Sequence, residues 1–457
     1  MADKQYKHAL FIFRRDLRLT DNTALIAAHK LAKDVSPCFI FNPKQLENNP
    51  YRSDFSVRFM IDSLAELAQS IKAKNGTLNF FYDQPEKILP EIIKKNAIDL
   101  VIFNKDYTPF SIKRDQALFT ICQKLNSAYQ SFDDALLIPP GEVRKDDGSA
   151  YSVFTPFFRK ASKQIISKPQ SHRYKNFNSK ALIYSKTVHL KNVESTVKEI
   201  HTIPGGRKAA LKILRSLKRH SNYKEQRDFP AQAATTGLSA HHKFGTCSIR
   251  ETYFGVTQLF GQEHHMVSEL FWRDFYVHIA HHFPHVFGSN FRPTFDKVKW
   301  HKPNKLFKAW CQGKTGFPII DAGMRELNTT GFMHNRVRMI VASFLTKDLH
   351  IHWKEGEKYF ASKLVDYDPA VNNGSWQWAA STGCDAQPYF RIFNPWLQQK
   401  KFDPDCDYIK KWIPELKGFH PKEIHKHFEN PVLGYTQPIC DHRVEKEITL
   451  DMFEEVR

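Results

Sequence analysis

Over the first 135 residues, short continuous apolar runs alternate with longer stretches of helical periodicity. The runs Ala9–Phe13, Cys38–Phe41, Leu78–Tyr82 and Leu100–Phe103 have the length and composition of strands buried on both faces. Between the second and third, Val57, Met60, Ile61, Leu64, Leu67 and Ile71 recur at helical spacing, with Ser53 or Asp54 placed to cap the helix. This order predicts a parallel sheet with crossover helices, a Rossmann-like α/β domain over residues 1–135. Neither GxGxxG nor GxxxxGKS/T follows any run, so the commonest phosphate cradles of such sheets are absent. After Pro139-Pro140-Gly141 the pattern changes. Residues 142–205 are rich in Lys, Ser, Asn and Pro and read as part of a linker spanning 136–205, which ends at Pro204-Gly205-Gly206. From 206 to 457, helical periods separated by Gly and Pro predict an all-α domain.

Length and composition fit this division: 457 residues with 41% hydrophobic content make two to three domains with a sizeable core. The start does not read as a signal peptide, because the apolar run from His8 ends at Phe13 before Arg14-Arg15. No apolar stretch reaches the roughly 18 residues that span a bilayer. Seven cysteines without CxxC spacing favour reduced thiols, a cytoplasmic protein and no metal site. The net charge of +19 changes the picture more, because it is concentrated: residues 151–220 hold 16 Lys/Arg against 2 Asp/Glu. Such an excess is the footprint of a polyanion partner, and equally that of a solvated linker. A membrane surface is disfavoured, since Arg207 to Arg219, read as the segment's only helical stretch, has no Trp or Phe to insert.

Candidate chemistry lies in the helical part. Asn372-Asn373-Gly374-Ser375-Trp376-Gln377-Trp378 places two indoles among amides and a glycine, a better pattern for a stacked aromatic surface than for ordinary core. Glu269, Trp272, Arg273 and Tyr276 share one helical face. Thr235-Thr236-Gly237-Leu238-Ser239 suits a close approach to phosphate, and His334-Asn335-Arg336-Val337-Arg338-Met339 gathers amide, cations and thioether. Each alone has an ordinary explanation in a capping turn or a helix contact.

Together with Phe11-Ile12-Phe13-Arg14-Arg15-Asp16-Leu17-Arg18-Leu19-Thr20-Asp21-Asn22 and Lys314-Thr315-Gly316-Phe317-Pro318-Ile319-Ile320-Asp321-Ala322, these motifs make the whole chain resemble the photolyase/cryptochrome family. The resemblance implies an α/β antenna domain and a helical domain that holds a bent FAD, active in its reduced form. Tyr223 and Thr235, Thr236, Gly237, Leu238 and Ser239 would hold the diphosphate, and Asp366, Tyr367 and Asp368 the ring and ribityl, with Arg338 paired to Asp366. Asn372 would sit beside flavin N5. Trp376, Trp353 and Trp300 match the family's electron relay. Tyr367 stands where many members have glycine, and Met266 where many have tryptophan.

The match is closest to a class I cyclobutane pyrimidine dimer (CPD) photolyase. The (6-4) enzymes carry two histidines where this chain has Asn335 and Met339, and Asn372 and Trp378 depart from the cryptochrome and DASH patterns. Trp272 and Trp378 would wall a flipped-out dimer, and Glu269 and Asn335 would bond its edges. Arg227, Arg336 and Arg391 would hold phosphates, while Arg273, Tyr276 and Met339 complete the substrate side. The glutamate that grips folate in some members is missing at Phe110-Ser111, so methenyltetrahydrofolate, a deazaflavin, a second flavin or no antenna all remain open. The implied partner is dimer-containing DNA, with no membrane, no obligate protein partner and a monomeric state. The alternative is a cryptochrome-type photoreceptor without repair activity.

Overall fold

The computed structural model describes residues 4–197, 203–303, 305–385 and 391–456. Five parallel strands, β1 (Tyr6–Phe13), β2 (Ala32–Phe41), β3 (Asn79–Tyr82), β4 (Leu100–Asn104) and β5 (Ala128–Phe132), form one sheet in the order β3-β2-β1-β4-β5. The period-two alternation of β1 divides its side chains between two cores. Phe11 and Phe13 join Leu25, Phe59 and Leu64 on one face, and Leu10 and Ile12 join Ile88, Ile92 and Phe103 on the other. Ser53 caps the Asp54–Lys72 helix, its Oγ accepting the Ser56 N–H at 3.3 Å.

β5 and the first half of β2 were not expected from the sequence. β5 lies at the sheet edge, and each of its five residues is half-buried, so it lacks a continuous apolar run. The linker also differs from the expectation. Within it Phe154–Ala161 forms a helix, with Phe154 and Phe157 buried, so Arg207–Arg215 is not the basic segment's only α-helix. Farther on, the linker lies along the sheet: Val35 N–H donates to the Asn176 carbonyl at 2.9 Å, and Asn178 N–H to the Val35 carbonyl at 2.8 Å. Linker residues 198–202 are outside the described residues.

Beyond residue 206 the described residues form helices and no strand. Their main core gathers Trp310, Phe317, Phe344, Trp353, Phe360 and Trp376. Buried ion pairs tie this part to the sheet domain: Arg250 binds Asp21 at 2.9 Å and Asp134 at 2.8 Å, and Asp134 is held in turn by Arg18 of its own domain at 2.6 Å. None of the described helices is long and apolar enough to cross a membrane, and no described cluster of His, Cys, Asp or Glu could hold a metal ion.

Candidate active site

A cavity of about 610 Å³ opens where the helices His265–His282, Asn335–Lys347 and Pro369–Ala379 meet. Glu269, Trp272, Arg273 and Tyr276 all line it, as their spacing predicts. Gly374 permits the approach of the last helix, because a Cβ there would lie 2.1 Å from the Tyr276 ring. Trp272 has one face covered: Phe154 stacks on it at 3.7 Å between ring centroids, a partner supplied by the linker helix. Trp378 lines the same space and is half-buried. The other two residues of the amide run have a structural part, since Asn373 and Gln377 are buried and both donate to the Val286 carbonyl at 3.0 Å.

The remaining walls are ionic. Arg338 donates to Asp366 Oδ2 at 2.9 Å, leaving the buried Oδ1 without a partner. Asp368 caps the Pro369–Ala379 helix through the Ala370 and Val371 N–H groups and is gripped by Arg15 from the end of β1. Burial alone would raise the Asp368 pKa, but Arg15 and Arg273 outweigh it and hold the carboxyl at about 2. Asn372 donates to the Glu357 backbone carbonyl at 3.2 Å. Sequence reading missed Glu357, whose side chain burial pushes up to about 7.

At the mouth, two of the three cations expected to hold phosphate, Arg227 and Arg336, are engaged with acids. Arg227 pairs with Glu269, which also meets His265, and Arg336 donates to Asp228 at 2.6 Å with its guanidinium 4.3 Å from the Phe402 ring centre. Burial would raise the Glu269 pKa, yet His265 and Arg227 bring it below the usual range. His265 and Asp228 are cavity residues that sequence reading missed; the only signal was their adjacency to Met266 and Arg227. Asn335 Nδ2 lies 3.9 Å from Met339 Sδ.

Other expected residues lie off this cavity. Tyr223 is buried beneath Arg227, and Thr235 to Ser239 lead into the Ser239–Phe244 helix without lining the space. Gly237 has φ +71° with open space at the Cβ position. Arg391 is exposed and outside the lining, and Met266 belongs to a core cluster. Of the three indoles proposed as a relay, Trp376 borders the cavity, Trp353 is fully buried and Trp300 is half-buried beside Phe453. His352 lies 5.6 Å from Trp353 and 5.5 Å from Trp300 between ring centroids.

A second cavity, of about 570 Å³, lies at the carboxyl ends of β1, β2 and β4, the usual ligand crevice of such sheets. Phe110 and Ser111 line it, as does Lys243, which donates to Ser56 Oγ at 3.0 Å. Burial, with Arg15 nearby, pulls the Lys243 pKa down to about 7. Tyr367 borders both cavities and stacks on Tyr51 at 6.3 Å.

A doubly wound sheet joined to a helical domain with an ionic, indole-walled cavity defines a flavin-dependent class, and the chain belongs to the photolyase/cryptochrome family. Residues 9–174 match the model for DNA photolyase, and residues 266–455 that for the FAD binding domain of DNA photolyase. The chain is 37% identical to a deoxyribodipyrimidine photo-lyase of Vibrio cholerae, over 96% of this chain and 98% of that protein. It is 35% identical to that of Escherichia coli, over 97% and 98%. Among solved structures, an archaeal photolyase from Sulfolobus tokodaii with two FAD molecules superposes with a TM-score of 0.90 at 41% identity, covering 98% of this chain and 100% of that one. A class III photolyase from Agrobacterium tumefaciens gives 0.89 at 35% identity, over 100% and 98%. The helical cavity fits FAD on its own chemistry: it has room for an aromatic ring system, and the unpartnered Asp366 Oδ1 calls for an N–H or O–H donor.

Proposed function

We propose that this protein is a deoxyribodipyrimidine photo-lyase of the class I type, which repairs cyclobutane pyrimidine dimers in DNA under blue light. The observation that carries the reading is the helical cavity, whose lining joins the Arg338–Asp366 pair and Asn372 to the indoles of Trp272 and Trp378 and the cations Arg227 and Arg336. When bound and reduced, FAD would supply the photoexcited electron that splits the dimer and would take it back. Asp366 with Arg338, and Tyr367 and Asp368, would hold its ring and ribityl; Tyr223 and Thr235 to Ser239 would take the diphosphate. Asn372 offers the ring an amide without adding a charge.

A dimer within a duplex must be flipped out, which its disturbed stacking makes cheaper. The free face of Trp272 and the ring of Trp378 receive it, and Glu269 and Asn335 bond the pyrimidine edges. The pairing at the mouth adds a step. A DNA phosphate competes with Glu269 for Arg227 and with Asp228 for Arg336, so docking of the strand frees the Glu269 carboxylate as it fixes the cations. Arg273, Tyr276, Met339 and Arg391 complete the substrate side. Trp376, Trp353 and Trp300 relay electrons that restore reduced flavin, and the sheet cavity holds a second, light-harvesting chromophore. The protein works as a cytoplasmic monomer without an obligate protein partner.

Asn335 and Met339 supply no imidazole. The nearby His334 caps its own helix by accepting the Arg336 N–H at 3.2 Å, and His265 lies within 2.7 Å of Arg227. This favours CPD over (6-4) products, which need a proton moved. Oligonucleotides carrying each lesion, illuminated with blue light, test the reading: CPD should be reversed and (6-4) product left. Efficient (6-4) repair overturns the lesion assignment. Flavin photochemistry with no repair of either lesion favours a photoreceptor, a reading supported by the TM-score of 0.90 with a cryptochrome of Synechocystis, 26% identical over 99% of this chain and 100% of that one.

A further inference from the structure

Asn290 has no part in the repair chemistry, yet its surroundings are built with care for one indole. It is 2% exposed. Its Oδ1 accepts the Trp353 Nε1–H at 2.7 Å, while its Nδ2 donates to Asp296 Oδ1 at 2.7 Å. The Asn290 backbone N–H donates to the same carboxylate oxygen at 2.9 Å. An indole N–H can only donate and a carboxylate can only accept, so the amide has a single orientation that satisfies both. The mount is rigid and belongs to the relay itself. Asn373 and Gln377, on the helix of Trp376, each hold the Val286 carbonyl, and Gln377 Oε1 accepts the Phe291 N–H at 2.7 Å, so the loop carrying Asn290 is fastened on both sides.

An indole that loses an electron becomes a cation with an acidic N–H, and a hydrogen bond strengthens when its donor is charged. The bond to Asn290 is therefore stronger in oxidised Trp353 than in neutral Trp353. An amide oxygen is a poor base and leaves the proton on the nitrogen. His352, packed against both Trp353 and Trp300, does not oppose the charge: its Nδ1 accepts the Lys354 N–H at 3.1 Å and so carries no proton, and burial holds its pKa at about 4.

We propose that Asn290, anchored by Asp296, is a positioning residue for the electron relay: it makes Trp353 easier to oxidise and keeps its indole protonated while the charge passes. The oxidant is photoexcited flavin, acting through Trp376. One electron moves from Trp353 to oxidised Trp376, no bond breaks, and the Nε1 proton stays in place until an electron from Trp300 refills the indole. The inference rests on the relay reading given above.

The test uses the full chain with FAD bound and three variants, Asn290→Leu, Asp296→Asn and Trp353→Phe. The ¹⁵N–¹H resonance of the Trp353 indole, assigned by its loss in Trp353→Phe and recorded in the dark, reports the hydrogen bond apart from any activity. Flash absorption reports the yield of long-lived oxidised tryptophan. Asn290→Leu should move the resonance and lower the yield by about tenfold, the scale of one charge-assisted bond. Asp296→Asn keeps the Asn290 acceptor in place and should lower the yield by about twofold, because an exposed carboxylate is screened. A displaced resonance with unchanged yield in Asn290→Leu overturns the inference. An unchanged yield in Trp353→Phe overturns the relay reading beneath it.

Discussion

The two cavities are close in size, at about 570 and 610 Å³, and differ in where the acids that match their cations lie. The sheet cavity is lined by six cations, Arg14, Arg15, Lys44, Arg52, Arg114 and Lys243, against the single acid Asp106. The helical cavity matches five, Lys224, Arg227, Arg273, Arg336 and Arg338, with the acids Asp228, Glu269, Asp366 and Asp368. Most cations of the sheet cavity are matched from behind its wall, Arg14 and Arg114 by Asp115, Arg52 by Asp54 and Arg15 by Asp368. A lining of matched pairs is quiet until a competing anion opens it.

Arg15 joins the two cavities, so its loss should have the largest effect. Arg15→Ala leaves the buried Asp368 with Arg273 as its remaining cation and should cost about 3 kcal/mol in a denaturation midpoint. FAD and any second chromophore should both be retained less well; loss of only one would show that the cavities are independent. Trp272→Ala and Met60→Trp should then separate them. The first should weaken dimer binding by about 1–3 kcal/mol. The second pushes a bulky ring into the sheet cavity, and should lower chromophore absorbance other than FAD after denaturation while leaving dimer affinity in place.

Glu357 gives a smaller effect that depends on pH. Its folded pKa of about 7 lies above its unfolded value, so its protonated form favours the fold and that stability is lost as pH rises from about 4.5 to 7. Glu357→Gln should therefore raise the melting midpoint at pH 8 by an amount worth about 1–3 kcal/mol, with little change at pH 4.5. An equal gain at both values would assign the effect to packing. The smallest effect belongs to Arg336. Arg336→Ala should flatten the dependence of log affinity on log salt by about one, and an unchanged slope would keep Arg336 with Asp228 and away from phosphate.

The parts of the molecule that were legible in the sequence are those in which neighbours in space are neighbours in the chain. β1 and β4 are continuous apolar runs, and Glu269, Trp272, Arg273 and Tyr276 share a face because a helix repeats at their spacing. β5 was not legible, since Ala128-Tyr129-Gln130-Ser131-Phe132 is a half-buried edge strand. The linker helix had a readable signal in Phe154, Phe157 and Phe158, which the surrounding lysines and serines obscured. The pairing of Arg227 with Glu269 was not legible at all, because a bond across 42 residues leaves no periodicity. The same holds for the sheet cavity, whose lining is drawn from Ile12 through to Pro369.

The grip of Arg15 on Asp368 also sets an order of events during synthesis. Asp368 follows Arg15 in the chain by 353 residues, a wait of about 20–70 s at ordinary translation rates. Asp106, 91 residues after Arg15 and 3.4 Å from it, emerges much sooner. Both carboxylates stay on Arg15 in the finished fold, so one guanidinium bridges the sheet end and the helix that bears Asn372 and Trp376.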